Sequence, residues 1–150
     1  MRIAATASLI VCTLGLCADP AAAADLTPLE AVEAYAAAWA EPDEGKRRAL
    51  LEKGWAENGV YADPTAYVEG REALVSHIAG FLSQMGTARL ERSSGVDVHH
   101  GMIRFAWRIV AADGSTVVAE GFDYGELDDD GRLRKIVGFF GPFPQLESDP

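Results

Sequence analysis

The sequence predicts an α+β fold, with helices packed on one face of a largely antiparallel sheet. Apolar residues recur at helical spacing through most of the first half. After Gly86 the period changes to alternation. The last third, Thr116 to Pro142, then reads as a β-hairpin around the turn Asp128-Asp129-Asp130-Gly131.

The first helix starts at Thr27-Pro28-Leu29-Glu30, where Thr27 caps, Pro28 suits the first helical position and Glu30 completes a capping box. Leu29, Val32, Ala36 and Trp39 follow at helical spacing, with Tyr35 beside that stripe, and Pro42 ends the helix. A second helix runs from Asp43 through Lys53, with Leu50 and Leu51 inward and Gly54 as its stop. Its Lys46-Arg47-Arg48 run reads as a solvated face. Trp55 to Tyr67 is irregular, with a short strand at Val60-Tyr61-Ala62 that Asp63-Pro64 breaks.

Gly70 precedes a third helix, Arg71 to Met85. Leu74, Ile78, Phe81, Leu82 and Met85 form its stripe, Gly86 is its C-cap, and His77 reads as a surface or interface residue. Strands are expected at Ala88 to Arg92, from Val96 to His100, and at Met102 to Val110. In the last of these Ile103, Phe105, Trp107 and Ile109 share one face, and Arg104 and Arg108 share the other. Which face is concave is left open. Ala112-Asp113-Gly114-Ser115 turns the chain into the final hairpin. There Asp123 shares a face with Val117, Ala119 and Gly121. An acid on a small, apolar face is explained if that face lines a cavity that uses it.

A length of 150 residues fits one domain. Arg2, the uncharged and mostly apolar run Ile3 to Leu16, and the small residues Ala22-Ala23-Ala24 have the layout of a secretory signal peptide. The expectation is a leader at 1–24, cleaved near Ala24, a mature domain at 25–150, and export to the periplasm or beyond. Both cysteines, Cys12 and Cys17, fall in the leader, so the mature chain is expected to hold no disulfide. A lipoprotein anchored at Cys17 is disfavoured because Leu16, not a small residue, precedes it. The net charge of −10 argues against nucleic acid and anionic membranes as partners. No further apolar run is long enough to span a bilayer.

Several segments together resemble the nuclear transport factor 2-like superfamily, which includes SnoaL-like polyketide cyclases, ketosteroid isomerases, limonene epoxide hydrolases and scytalone dehydratases. The resemblance lies in Tyr35-Ala36-Ala37-Ala38-Trp39, in Trp55 to Pro64, in Gly70-Arg71-Glu72-Ala73-Leu74 and in the closing Gly138-Phe139-Phe140-Gly141-Pro142. It covers essentially residues 27–142. It implies a cone-shaped fold in which a curved mixed sheet wraps a deep apolar pocket and the helices close its narrow end.

Ketosteroid isomerases resemble the chain at three functional places. Tyr35 matches a tyrosine that donates to a developing oxyanion, Asp63 matches the general base, and Asp123 matches a second acid of the oxyanion hole. Phe140 falls on a pocket-lining aromatic, and Trp39, Trp55, Tyr61 and Phe81 are further candidates for the pocket wall. Epoxide-hydrolase chemistry does not fit, because Gly121 stands where those enzymes carry an arginine and the last strand has no acid. A cyclase-like reading pairs a pocket acid with His99 or His100, of which at most one can face inward. Three histidines without a ligand motif do not indicate a metal, and no cofactor is expected.

The leading expectation is a pocket that binds a small hydrophobic molecule. The alternative is an isomerase, cyclase or dehydratase moving a proton beside a carbonyl, with Asp63 as base and Tyr35 and Asp123 as donors. A third reading is a homodimerising module that uses the outer sheet face, with Phe105 or Trp107 exposed on it.

Overall fold

The computed structural model describes residues 26–146; the expected leader and its cleavage site lie outside them. The elements are α1 (Pro28–Ala38), α2 (Glu44–Gly54), β1 (Trp55–Asp63), β2 (Ala66–Glu69), α3 (Arg71–Met85), β3 (Arg89–Arg92), β4 (Asp97–His99), β5 (Met102–Val110), β6 (Val117–Leu127) and β7 (Leu133–Phe140).

Local chemistry sets the helix starts. The Thr27 hydroxyl accepts from the Glu30 amide at 3.3 Å, and the Glu30 carboxylate accepts from the Thr27 amide at 2.9 Å. Asp43 caps α2 by accepting from the Lys46 amide at 2.9 Å. The final turn is held by Asp128, whose Oδ1 accepts from the amides of Asp130 and Arg132 at 3.0 and 2.8 Å.

The sheet runs β2-β1-β7-β6-β5-β3, with β4 beside β5. Among the described residues only the β1–β7 pairing is parallel, so the sheet is mixed and mostly antiparallel. The inner faces of β1, β3, β5, β6 and β7 meet α1 and α3 around one cavity, which is the α+β cone. Its packed end is built from Val32, Leu51, Trp55, Leu74, Ile78, Ile103, Leu133 and Ile136, all fully or almost fully buried.

Three local expectations change. First, β1 is a nine-residue strand rather than a short one, because the distant β7 pairs along it on both sides of a register shift between Trp55 and Val60. Second, a further strand follows the Asp63-Pro64 break, which ends β1 as expected. The break turns the chain into β2, which pairs back on β1 from Val60↔Glu69 to Asp63↔Ala66. Third, Arg47 is not on a solvated face but is buried. Its Nε donates to the Val75 carbonyl at 3.2 Å, and its Nη1 donates to the Glu41 and Pro42 carbonyls at 2.7 and 3.3 Å. The guanidinium thereby satisfies the chain leaving α1 and ties it to α3. Arg48, one residue on, does face solvent and pairs with Glu44 and Glu72 at 2.8 and 3.0 Å.

Candidate functional site

β5 settles which sheet face is concave. Ile103, Phe105 and Trp107 are buried, whereas Arg104 is exposed and pairs with Asp97 at 2.8 Å. In β6 the inward set is Ala119, Gly121 and Asp123, opposite Ile109, Trp107 and Phe105. Phe105 and Trp107 therefore do not form an outer surface. Outer-face aromatics are instead Phe122, Phe139 and Phe143, with Phe122 stacked on Phe139 at 5.1 Å. Phe139 and Phe143 are exposed.

The cavity enclosed by this face and the helices has a volume of about 470 Å³. Tyr35, Asp63 and Asp123 all line it, as do Trp39, Tyr61, Phe81 and Phe140. Trp55 does not. It lies wholly buried behind the wall, stacked on Tyr35 at 5.6 Å between ring centroids. His77, Arg92, Thr65, Ser76 and Gln84 also line the cavity, although nothing in their local sequence marked them as site residues. The signal for Arg92 was strand parity, since it alternates with Leu90. His77 is placed by α3, with its ring 5.5 Å from that of Tyr61 and 5.8 Å from that of Trp39. His99 and His100 lie outside the cavity lining and are exposed.

The two acids come together from the strands on either side of β7. Asp123 of β6 lies opposite Gly138 of β7. On the other side, the Ala62↔Val137 pairing of β1 with β7 brings Asp63 alongside the same glycine. A Cβ at Gly138 would sit 3.1 Å from Asp123 Oδ1 and 3.5 Å from the Asp63 Cβ. The missing side chain thus leaves the gap into which both acids project.

Their environments differ. Asp63 Oδ1 accepts from the Thr65 amide, the Thr65 hydroxyl and the Ala66 amide at 2.6, 2.8 and 2.8 Å, and Oδ2 accepts from the Tyr61 hydroxyl at 2.7 Å. Partial burial pushes this carboxyl upward, but those hydrogen bonds outweigh it and hold Asp63 below the usual aspartate range. Among the described residues Asp123 accepts only from the Trp107 indole, at 2.9 Å to Oδ1, which leaves Oδ2 open to the cavity. Burial, opposed by the Trp107 hydrogen bond and reinforced by the charge of Asp63, pushes Asp123 up to about 7.

Both phenols are held in their neutral form. Burial first, then the negative potential of Asp123, raises Tyr35 well above the ordinary tyrosine value. Burial and the hydrogen bond to Asp63 raise Tyr61. The site therefore combines a fixed carboxylate, a carboxyl that changes charge near neutrality, and neutral phenolic donors, set among Trp39, Phe81, Phe105, Trp107 and Phe140.

No family model and no curated protein matches the chain. Solved structures do. A candidate isomerase of the SnoaL-like family from Agrobacterium tumefaciens is 34% identical, with a TM-score of 0.71, covering 76% of this chain and 97% of that one. A candidate SnoaL-like polyketide cyclase from Jannaschia sp. CCS1 is 16% identical with a TM-score of 0.56, covering 74% and 85%. An NTF2-like protein of unknown function from Cytophaga hutchinsonii is 14% identical with a TM-score of 0.56, covering 78% and 92%. The last two share the fold. The likeness to the first extends over nearly its whole length, and the chain belongs to the SnoaL-like family of the nuclear transport factor 2-like superfamily.

Proposed function

We propose that the cavity moves a proton beside a carbonyl group of an apolar compound, as a cofactor-independent isomerase or cyclase. The observation that carries this is the divergence of two carboxyls sharing one apolar site. Asp63 is held charged, while Asp123 is poised near neutral pH with one oxygen open to the cavity. A group with this poise is suited to accept a proton and return it.

The roles differ from those the isomerase resemblance implies. Asp63 makes a weak base, because four hydrogen bonds stabilise its charged form. It acts as a fixed charge that raises Asp123 and holds Tyr61. Asp123 in its ionised form takes the proton from the carbon next to the carbonyl. The hydroxyl of Tyr35, kept protonated by burial, donates to the carbonyl oxygen as negative charge builds there. Protonated Asp123 then delivers the proton to a second carbon, which completes an isomerisation without net change in protons. The candidate isomerase from A. tumefaciens supports this reaction class.

The test is to incubate the protein with a panel of β,γ-unsaturated cyclic ketones in deuterated buffer and follow the α-protons by NMR. The expected result is catalysed exchange and conjugation, with a rate that rises with pH through about 7 as Asp123 ionises. Tyr35→Phe should slow the chemical step by about 10²-fold with little change in KM, the usual scale for losing one oxyanion donor. Ketones bound tightly but recovered unexchanged would leave the cavity a binding site and reject the proton-transfer reading.

A further inference from the structure

The acids are not the only charged feature of the cavity. β3 pairs with β5 so that Leu90 lies opposite Ile109 and Arg92 lies opposite Trp107. Leu90, Ile109 and Trp107 line the cavity, and so does Arg92. Parity sends Glu91 to the outer face, where it pairs with Arg108 at 2.6 Å. Arg92 is half-buried and forms no ion pair among the described residues. It donates from Nη1 to the Ser94 carbonyl. Every other described arginine is committed elsewhere. Arg47 and Arg71 each give two nitrogens to main-chain carbonyls, where Arg92 gives one, and the rest pair with carboxylates.

On a chain of net charge −10, an anion is accommodated only where a local cation compensates. A guanidinium beside apolar walls is partly stripped of water and presents several fixed donors, the arrangement that holds carboxylates and sulfonates. We propose that the cavity's ligand is an anionic amphiphile: an apolar, ring-bearing body in the aromatic walls, with a carboxylate or similar anion held by Arg92. This rests on the reading of the cavity as the functional site, and it narrows the substrate class to hydrophobic keto acids.

Two dyes of similar body separate the anion from the apolar part: anilinonaphthalene sulfonate, which is anionic, and N-phenylnaphthylamine, which is neutral. Fluorescence titration of the wild-type protein should show the anionic dye binding about tenfold more tightly, the scale of one charge-assisted contact. Arg92→Gln should erase that preference while keeping the affinity for the neutral dye, and Arg92→Lys should retain part of it. Gly80→Trp places a ring where nothing lies within 4 Å, in the cavity wall, and should remove both signals. Equal wild-type affinities, a preference that survives Arg92→Gln, binding that survives Gly80→Trp, or failure of either dye to bind would each overturn the proposal. Turnover plays no part, so failed proton exchange counts against the reaction alone.

Discussion

Asp123→Asn lowers the rate of catalysed proton exchange by about 10³-fold, within the range for loss of a positioned acid-base group, and removes the rate step near pH 7. The substitution keeps the shape of the side chain, and its amide oxygen can still accept from the Trp107 indole, so the cavity should retain its form. The same substitution changes stability with a defined sign. Folding raises Asp123 from 3.8 to about 7. The folded state therefore binds this proton more tightly than the unfolded state does. The associated stabilisation is fully present below pH 4 and is lost as pH rises through about 7. Relative to wild type, Asp123→Asn should thus gain stability between pH 5 and pH 8, by on the order of 2–4 kcal/mol for a shift of this size. Urea denaturation of both proteins at the two pH values measures this. A stability difference that does not change with pH would show that Asp123 is not held near neutrality.

Gly121→Ala should be among the most damaging single-methyl changes in the sheet. Gly121 lies opposite Trp107 on β5 and Phe140 on β7. A Cβ there would run into the Phe139 carbonyl oxygen and the six-membered ring of Trp107. The glycine is what allows the indole to lie across β6, reach Asp123 Oδ1 at 2.9 Å and meet the Phe140 ring edge-on at 5.3 Å. The carbonyl belongs to the paired strand and cannot swing away, so the alanine must displace both strand and indole. The expected loss is about 3 kcal/mol from overpacking in a tight site, measured by urea denaturation. Loss of the indole donor should also raise the Asp123 titration further, because that hydrogen bond favours the charged carboxylate. The rate step should therefore move to higher pH. Wild-type stability with an unmoved rate step would mean that Trp107 does not depend on this glycine.

Local signals made the helices and the terminal hairpin legible. Thr27, Asp43, Gly86 and the Asp128 turn act within a few residues of themselves, so they could be read without tertiary information. The resemblance carried the cone fold and directed attention to Tyr35, Asp63 and Asp123. What could not be read depends on contacts between distant segments. β1 extends back to Trp55 because β7, more than seventy positions later, pairs with it. Trp55 leaves the cavity because Tyr35 stacks over it. Arg47 turns inward because three carbonyls from α3 and the chain after α1 converge there. Arg92 and Arg104 look alike in sequence, but in the folded sheet Arg92 lies opposite the inward Trp107, whereas Arg104 falls between the inward Ile103 and Phe105 and so faces solvent. Asp63 shows the same limit in its chemistry. Its turn was readable from Asp-Pro and a cavity role was implied by the resemblance alone, but the four donors that hold it charged come from the folded β1–β2 hairpin.

Titration of the Asp123 carboxyl carbon by NMR, in the folded protein without ligand, tests the proposed proton carrier most directly. The expected midpoint is about 7, and it should fall only slightly in Asp63→Asn, because burial rather than the neighbouring charge is the main cause of the shift. A midpoint near 4 in the wild-type protein would contradict the assignment of Asp123 as the group that takes and returns the proton.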